Sequence, residues 1–110
     1  MTPVTEDIIS EMKDIIVDAV NPLKIILFGS YARGQVHPDS DLDFLIVDEH
    51  PFGHGRNRRK QMTKLWKMLA HFSMPKDILI YSNDEVEHWR DAKNHIISRA
   101  FREGKVLYER

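Results

Sequence analysis

At 110 residues, with 42% hydrophobic and 30% charged residues and a formal net charge of −1, the chain has the make-up of one ordinary globular domain, 1–110, and no overall charge that points to a partner. The absence of cysteine excludes a disulfide framework, a cysteine-based zinc site and a cysteine nucleophile, and it fits a reducing cytoplasm. No apolar run approaches the ~18 residues of a bilayer span, and Met1 to Asp14 lacks the basic and apolar regions of a signal peptide, so a soluble cytoplasmic protein with no membrane partner is expected.

Thr5 to Val20 reads as an amphipathic helix, because Ile8, Ile9, Met12, Ile15, Ile16, Ala19 and Val20 recur at helical spacing. Glu6 and Asp7 stand where the helix dipole favours acids, and Asn21-Pro22 ends the element. Leu23 to Phe28 is a short Ile-rich run bounded by Pro22 and Gly29, which predicts a buried strand. Ser30 to Arg33 is expected to form a turn opening a short helix closed by Gly34, and His37 to Ser40 a loop. Leu42 to Val47 is the second predicted strand. Asp48 to Asn57, with Pro51, Gly53 and Gly55, is a connection.

Arg58 to Phe72 returns to helical spacing, with Met62, Leu65, Trp66, Leu69 and Phe72 on one face, and Ser73-Met74-Pro75 breaks it. Asp77 to Tyr81 is a third strand. Ser82 and Glu85 have the spacing of a capping box, and the helix that follows carries Val86, Trp89, Ile96, Ile97, Ala100 and Phe101 with a bend or break near Asn94. Trp66 and Trp89 both read as core. Gly104 is the expected C-terminal cap, and Val106 to Tyr108 adds a short final strand. The alternation of helix and strand predicts an α/β (α+β) domain with a sheet of three to four strands.

The chemistry concentrates in Phe28-Gly29-Ser30-Tyr31-Ala32-Arg33-Gly34 and Ser40-Asp41-Leu42-Asp43. Asp41 and Asp43 are two apart at the start of a strand, a spacing that puts both on one face with Cα atoms roughly 6.5 Å apart. Such a pair suits a hard divalent cation: Mg²⁺ takes one or two carboxylates and completes its shell with water and substrate phosphates. Asp77 opens the next strand, and if the strands are neighbours it joins them; three carboxylates can hold two metals about 3.5–4 Å apart. Gly29 permits close backbone approach to a ligand. Ser30 stands where a helix would start, so its hydroxyl and the following N–H groups suit an anion, though an N-cap alone would also use it. Arg33 suits either a phosphate or a neighbouring acid. The Walker A spacing is absent.

Gly-Ser, ten residues, then Asp-x-Asp resembles the signature of the DNA polymerase β-like nucleotidyltransferase superfamily. The fuller G-S-x-A-R-G…S-D-x-D in a short chain resembles its minimal nucleotidyltransferase branch, which includes the antitoxins of HEPN/MNT toxin–antitoxin pairs. The likeness runs from about Leu23 to Tyr81. It implies a nucleotidyltransferase fold, a small mixed sheet with helices packed on it. It implies that Gly29 and Ser30, with Arg33 as a further candidate, contact NTP phosphates. It also implies that Asp41 and Asp43 bind Mg²⁺, two ions being expected, and that Asp77 is the third metal carboxylate and the base near the acceptor hydroxyl. Phe44 stands where many relatives carry a smaller aliphatic residue, a departure expected to affect packing only.

The expected activity is metal-dependent transfer of NMP, AMP from ATP, to a hydroxyl. The shortness of the chain and the likeness together suggest a tyrosine of a HEPN-type toxin partner as acceptor, which would make the protein an antitoxin. Two other readings stand beside it: neutralisation of the partner by occlusion without catalysis, and nucleotidyl transfer to a small molecule or an RNA end. The basic stretch Arg56, Arg58, Arg59, Lys60, Lys64 and Lys67 reads as a solvated helix face; contact with nucleotide, nucleic acid or an acidic partner is its other reading. His50 and His54, beside Gly and Pro, have no helical frame to make them a metal pair.

Overall fold

The computed structural model describes residues 6–29, 31–32, 41–53 and 55–110. The element order is α1 (Glu6–Val20), β1 (Lys24–Phe28), β2 (Leu42–Asp48), α2 (Arg58–Met68), β3 (Lys76–Ser82), α3 (Asn83–Trp89), α4 (Ile96–Glu103) and β4 (Lys105–Glu109). The helices and strands expected elsewhere are present, with bounds shifted by one or two residues at most ends, and the short helix expected after Ser30 falls largely outside the described residues. The helix beginning at Arg58 ends at Met68, short of Phe72, and the last helical stretch divides into α3 and α4 around Asn94.

The four strands form one mixed sheet in the order β3-β2-β1-β4. β1 runs antiparallel to both β2 and β4, with a register shift against β4 between Ile25 and Ile26. β2 and β3 are parallel, joined by the crossover through α2, and their register places Asp43 beside Asp77 and Phe44 beside Ile78. A parallel neighbour requires such a crossover, because a tight turn can only reverse the chain.

Alternation along the strands sorts the side chains onto two faces. Ile25, Leu27, Leu42, Phe44, Ile46, Ile78 and Ile80 lie on one, against Ile9, Met12 and Ile16 of α1 and Leu65 of α2. Ile26, Phe28, Leu45 and Val47 lie on the other, under Val86 of α3 and Ile97 and Ala100 of α4. Phe44 is fully buried on the α1/α2 side. Both central strands are therefore apolar on both sides, which is why they read as continuous apolar runs.

Local chemistry terminates the helices. Asn57 accepts from the Lys60 N–H at the start of α2. Ser82 and Glu85 form the expected capping box at the start of α3. His95 caps α4 by accepting from the Ile97 N–H at its Nδ1. Gly104 caps α4 as expected but in an extended conformation, φ −85°. A side chain there would strike Ile26 and the Ala100 and Leu27 carbonyls, so glycine is needed for close packing on β1 and not for a left-handed turn.

Two expectations about the core are corrected. Trp66 is 42% exposed and Trp89 40% exposed. Leu65 and Leu69 carry the buried stripe of α2 and its C-cap, and a residue one step beyond Leu65 lies roughly 100° around the helix. Trp89 closes the seven-residue α3 and stacks on His95, ring centroids 4.5 Å apart, instead of entering the sheet core. Among the described residues, no helix is long and apolar enough to cross a membrane.

Candidate active site

Because β1 is antiparallel to β2, and β2 parallel to β3, the end of β1 and the starts of β2 and β3 lie at one end of the sheet. Gly29 follows β1, Asp41 and Asp43 stand at the mouth of β2, and Asp77 opens β3. Residues far apart in sequence thus meet along one line across three adjacent strands.

Gly29 has φ +84°, the left-handed region that favours glycine. A Cβ built there would overlap the Asp43 carboxylate, so a side-chain-free turn is required for Asp43 to lie where it does. Asp43 is half-buried and pairs in register with Phe28 on one side and Asp77 on the other. Asp77 is exposed and shares the face of Asp43. Neighbouring strands are about 4.8 Å apart, so the two carboxylates rise side by side. That face is covered by α3 and α4 over Leu45 and Val47, further along the strand; over Asp43 and Asp77 no described helix covers it.

The strand begins at Leu42, and Asp41 is exposed one residue outside it. The Leu42 N–H donates to the Pro75 carbonyl at 3.0 Å, which carries the pairing of β2 into the segment before β3. There Asp41 lines a cleft of about 490 Å³ together with Trp66, Phe72, Met74, Pro75 and Lys76. Ser30 and Arg33 lie outside the described residues; Tyr31 and Ala32, between them, form a turn. His54 lies outside them too, and His50 is exposed.

Among the described residues, no three His, Asp or Glu side chains converge closely enough to hold a metal ion by themselves. The donor set nevertheless fits Mg²⁺, which is bound through one or two carboxylates plus substrate phosphates and does not need an all-protein cage. Asp43 and Asp77 supply two hard oxygen donors side by side, with Asp41 at the rim.

The cleft was not anticipated from sequence. Lys76 Nζ donates to the Phe72 carbonyl at 2.7 Å and the Met74 carbonyl at 3.3 Å, and lies 5.8 Å from the centre of the Trp66 ring. Burial pulls the Lys76 ammonium below the usual lysine range. The basic stretch divides. Arg56 pairs with Asp48 at 3.0 Å and Arg58 with Glu85, whereas Arg59, Lys60, Lys64 and Lys67 are exposed along α2.

A family model described as polymerase β, nucleotidyltransferase, matches residues 10–110. The chain belongs to this family. The match takes in every strand and the whole of the line from Gly29 to Asp77. Two candidate protein adenylyltransferases of Methanocaldococcus jannaschii are similar in sequence. One is 43% identical over 58 residues, about half of each chain (52%). The other is 32% identical over 88 residues, 77% of each chain.

Solved structures share the fold. A toxin–antitoxin complex with AMP-PNP aligns at 21% identity and a TM-score of 0.58, covering 92% of this chain and 73% of the other. A candidate nucleotidyltransferase from Sulfolobus solfataricus aligns at 16% identity and a TM-score of 0.60, covering 94% and 79%. The MntA–HepT toxin–antitoxin complex aligns at 17% identity and a TM-score of 0.57, covering 96% and 74%. The nucleotidyltransferase fold inferred from the Gly-Ser and Asp-x-Asp residues is thus the fold of this chain.

Proposed function

We propose that the chain is a divalent-metal-dependent nucleotidyltransferase of the cytoplasm that moves AMP from ATP to a hydroxyl of a protein partner, a tyrosine of a HEPN-type toxin. The observation that carries the reading is the line across the sheet end: a glycine turn with no room for a side chain, pressed against Asp43, with Asp77 beside it on the next strand. The partner is supported by resemblance to adenylyltransferase-named relatives and by the toxin–antitoxin complexes that share the fold.

Asp43 and Asp77, with Asp41 at the rim, would hold the metal, two ions being the fullest complement. When bound, Mg²⁺ supplies charge neutralisation at the α-phosphate and the pyrophosphate leaving group. Gly29 brings backbone within reach of the triphosphate, and Ser30 and Arg33 are the further phosphate ligands in this reading. Asp77, exposed on the face it shares with Asp43, accepts the proton of the acceptor hydroxyl. The acceptor oxygen bonds to the α-phosphorus, and the bond from that phosphorus to pyrophosphate breaks. Positioning and preorganised charge supply most of the acceleration in such chemistry.

The test is transfer of label from α-labelled ATP in Mg²⁺ to the purified partner. The expected result is a labelled partner with wild-type protein and none with Asp41→Ala plus Asp43→Ala. Equal labelling by that double variant would refute the catalytic reading. Inhibition of the partner by both proteins, with label from neither, would establish occlusion instead. Labelled product without any protein partner would point to a small-molecule or RNA acceptor.

A further inference from the structure

We infer that Lys76 is a positioning residue that sets the separation of the Asp43 and Asp77 carboxylates, by fastening the segment through which the chain enters β3. The inference rests on the nucleotidyltransferase reading above and adds to it the brace that holds the carboxylate pair together.

Topology creates the need for such a brace. Asp43 lies in β2, which has a strand on either side, and the glycine turn presses against it. Asp77 is the second residue of β3, which among the described residues has β2 as its one strand neighbour. Pro75, just before the strand, has no N–H to give to a ladder. A strand end at the edge of a sheet opens at low free energy. Opening there would widen the gap between the two carboxylates.

Lys76 meets that need. Its Nζ donates to the Phe72 carbonyl at 2.7 Å and to the Met74 carbonyl at 3.3 Å, so one ammonium gathers the bend that precedes the strand. An ammonium has three donors and can serve both carbonyls at once, and bonds from an ionised donor are the stronger kind. Between Met74 and Lys76, the Pro75 carbonyl accepts the Leu42 N–H at 3.0 Å. Leu42 and Lys76 are register partners, one step before Asp43 and Asp77. Ammonium, carbonyls and the Leu42 amide therefore tie the mouths of β2 and β3 together. Alternation turns Lys76 to the α1/α2 side and Asp77 to the other, so the brace acts through the backbone.

The same arrangement gives Trp66 a role. Leu65 and Leu69 are fully buried and complete the packing of α2 on the sheet, so the core makes no demand on the indole. Its ring centre lies 5.8 Å from the Lys76 Nζ, within the range of a cation–π contact. The ring keeps water from part of the ammonium, and a hydrogen bond with less water around it is electrostatically stronger.

The test reads the carboxylate pair without turnover. Mn²⁺ replaces Mg²⁺ as a spectroscopic probe, carried by α,β-methylene-ATP, which cannot release pyrophosphate. Lys76→Met keeps the apolar stem and removes the donors. It is expected to weaken the bound Mn²⁺ signal in electron paramagnetic resonance titrations by about 10- to 100-fold in affinity, the scale of a lost partner behind a metal ligand. Lys76→Gln, which keeps one donor group, should fall between Lys76→Met and wild type, and Lys76→Arg should recover most of the affinity. Ser82→Ala is the stability control, because Ser82 stands at the opposite end of β3 and caps α3. It should bind Mn²⁺ as wild type does. In hydrogen exchange, the Leu42 amide should open sooner in Lys76→Met and not in Ser82→Ala. Wild-type Mn²⁺ affinity in Lys76→Met or Lys76→Gln would overturn the positioning role and leave the catalytic reading standing. An equal loss in Ser82→Ala would overturn it as well, by assigning the effect to stability alone. If the wild-type protein forms no complex with Mn²⁺ and the nucleotide analogue, the metal-dependent reading itself is overturned.

Discussion

Replacing Gly29 by alanine probes the tightest contact in the site. Two penalties combine. A left-handed conformation costs a residue with a Cβ about 1–2 kcal/mol. The new methyl also overlaps the Asp43 carboxylate, which must swing away, and a displaced rotamer costs a further ~0.5–1.5 kcal/mol. Gly55 provides the matched control: its φ is +91°, but nothing lies within 4 Å of a Cβ built on it. Gly55→Ala should therefore show the backbone penalty alone, and Gly29→Ala about 2–3 kcal/mol in all. One kcal/mol moves the melting midpoint of a domain near this size by about 4–8 °C, so the two variants should separate by several degrees in a thermal melt. Activity should separate them further. A carboxylate displaced by about 1 Å can cost about 100-fold in rate, so Gly29→Ala should lose transfer while Gly55→Ala keeps it. Coincident melts and full transfer by Gly29→Ala would refute the proposed contact between turn and carboxylate.

Phe44→Ala removes a fully buried ring from the α1/α2 side and should cost about 3–5 kcal/mol in urea unfolding, a large share of the ~5–15 kcal/mol that holds a domain together. Ser82→Ala removes half of the capping box and should cost about 1 kcal/mol, read by the same method. For Glu85, burial raises the carboxyl, but hydrogen bonds from the Ser82 backbone, Arg58 and the Ser82 hydroxyl outweigh it and hold it below 4.5. Its stabilisation is present above 4.5 and lost as pH falls through the lowered value, so Glu85→Gln should flatten the acid limb of a stability–pH curve. Asp48 is 5% exposed, and Arg56→Ala would strip its guanidinium partner. The loss should stay below the ~3–5 kcal/mol of a fully buried pair, because Arg56 is partly exposed and the His50 N–H still donates to Asp48 at 2.9 Å.

The strands were legible because β1, β2 and β3 are short apolar runs bounded by Pro, Gly and Asp, and the capping box because Ser82 and Glu85 have the required spacing. Asp43 and Asp77 could be named from sequence. Their adjacency could not, since register follows from which strands pair, and that depends on the crossover through α2. Trp66 was misjudged because helical spacing alone does not separate the centre of an apolar stripe from its edge, and Leu65 and Leu69 hold the centre. Gly104 was legible as a cap, but its close packing was not. The crowding that demands glycine there comes from β1, a strand distant in sequence. The cleft beside Asp41 left no local signal at all, because its walls come from the end of α2, the segment before β3 and the residue before β2.

The position of β3 at the sheet edge has a further consequence. Among the described residues, β3 has one strand neighbour, β2, whereas β1 and β2 each have two. Edge elements open at lower free energy than central ones, so amide hydrogens of β3 should exchange with solvent ahead of those of β1. A nucleotide spanning from Gly29 to Asp77 would bind only the closed sheet and add RT ln(1 + [L]/Kd) to the cost of opening. Substrate would then act as a clasp across the strands, and slowed exchange in β3 would register its presence even where no product forms.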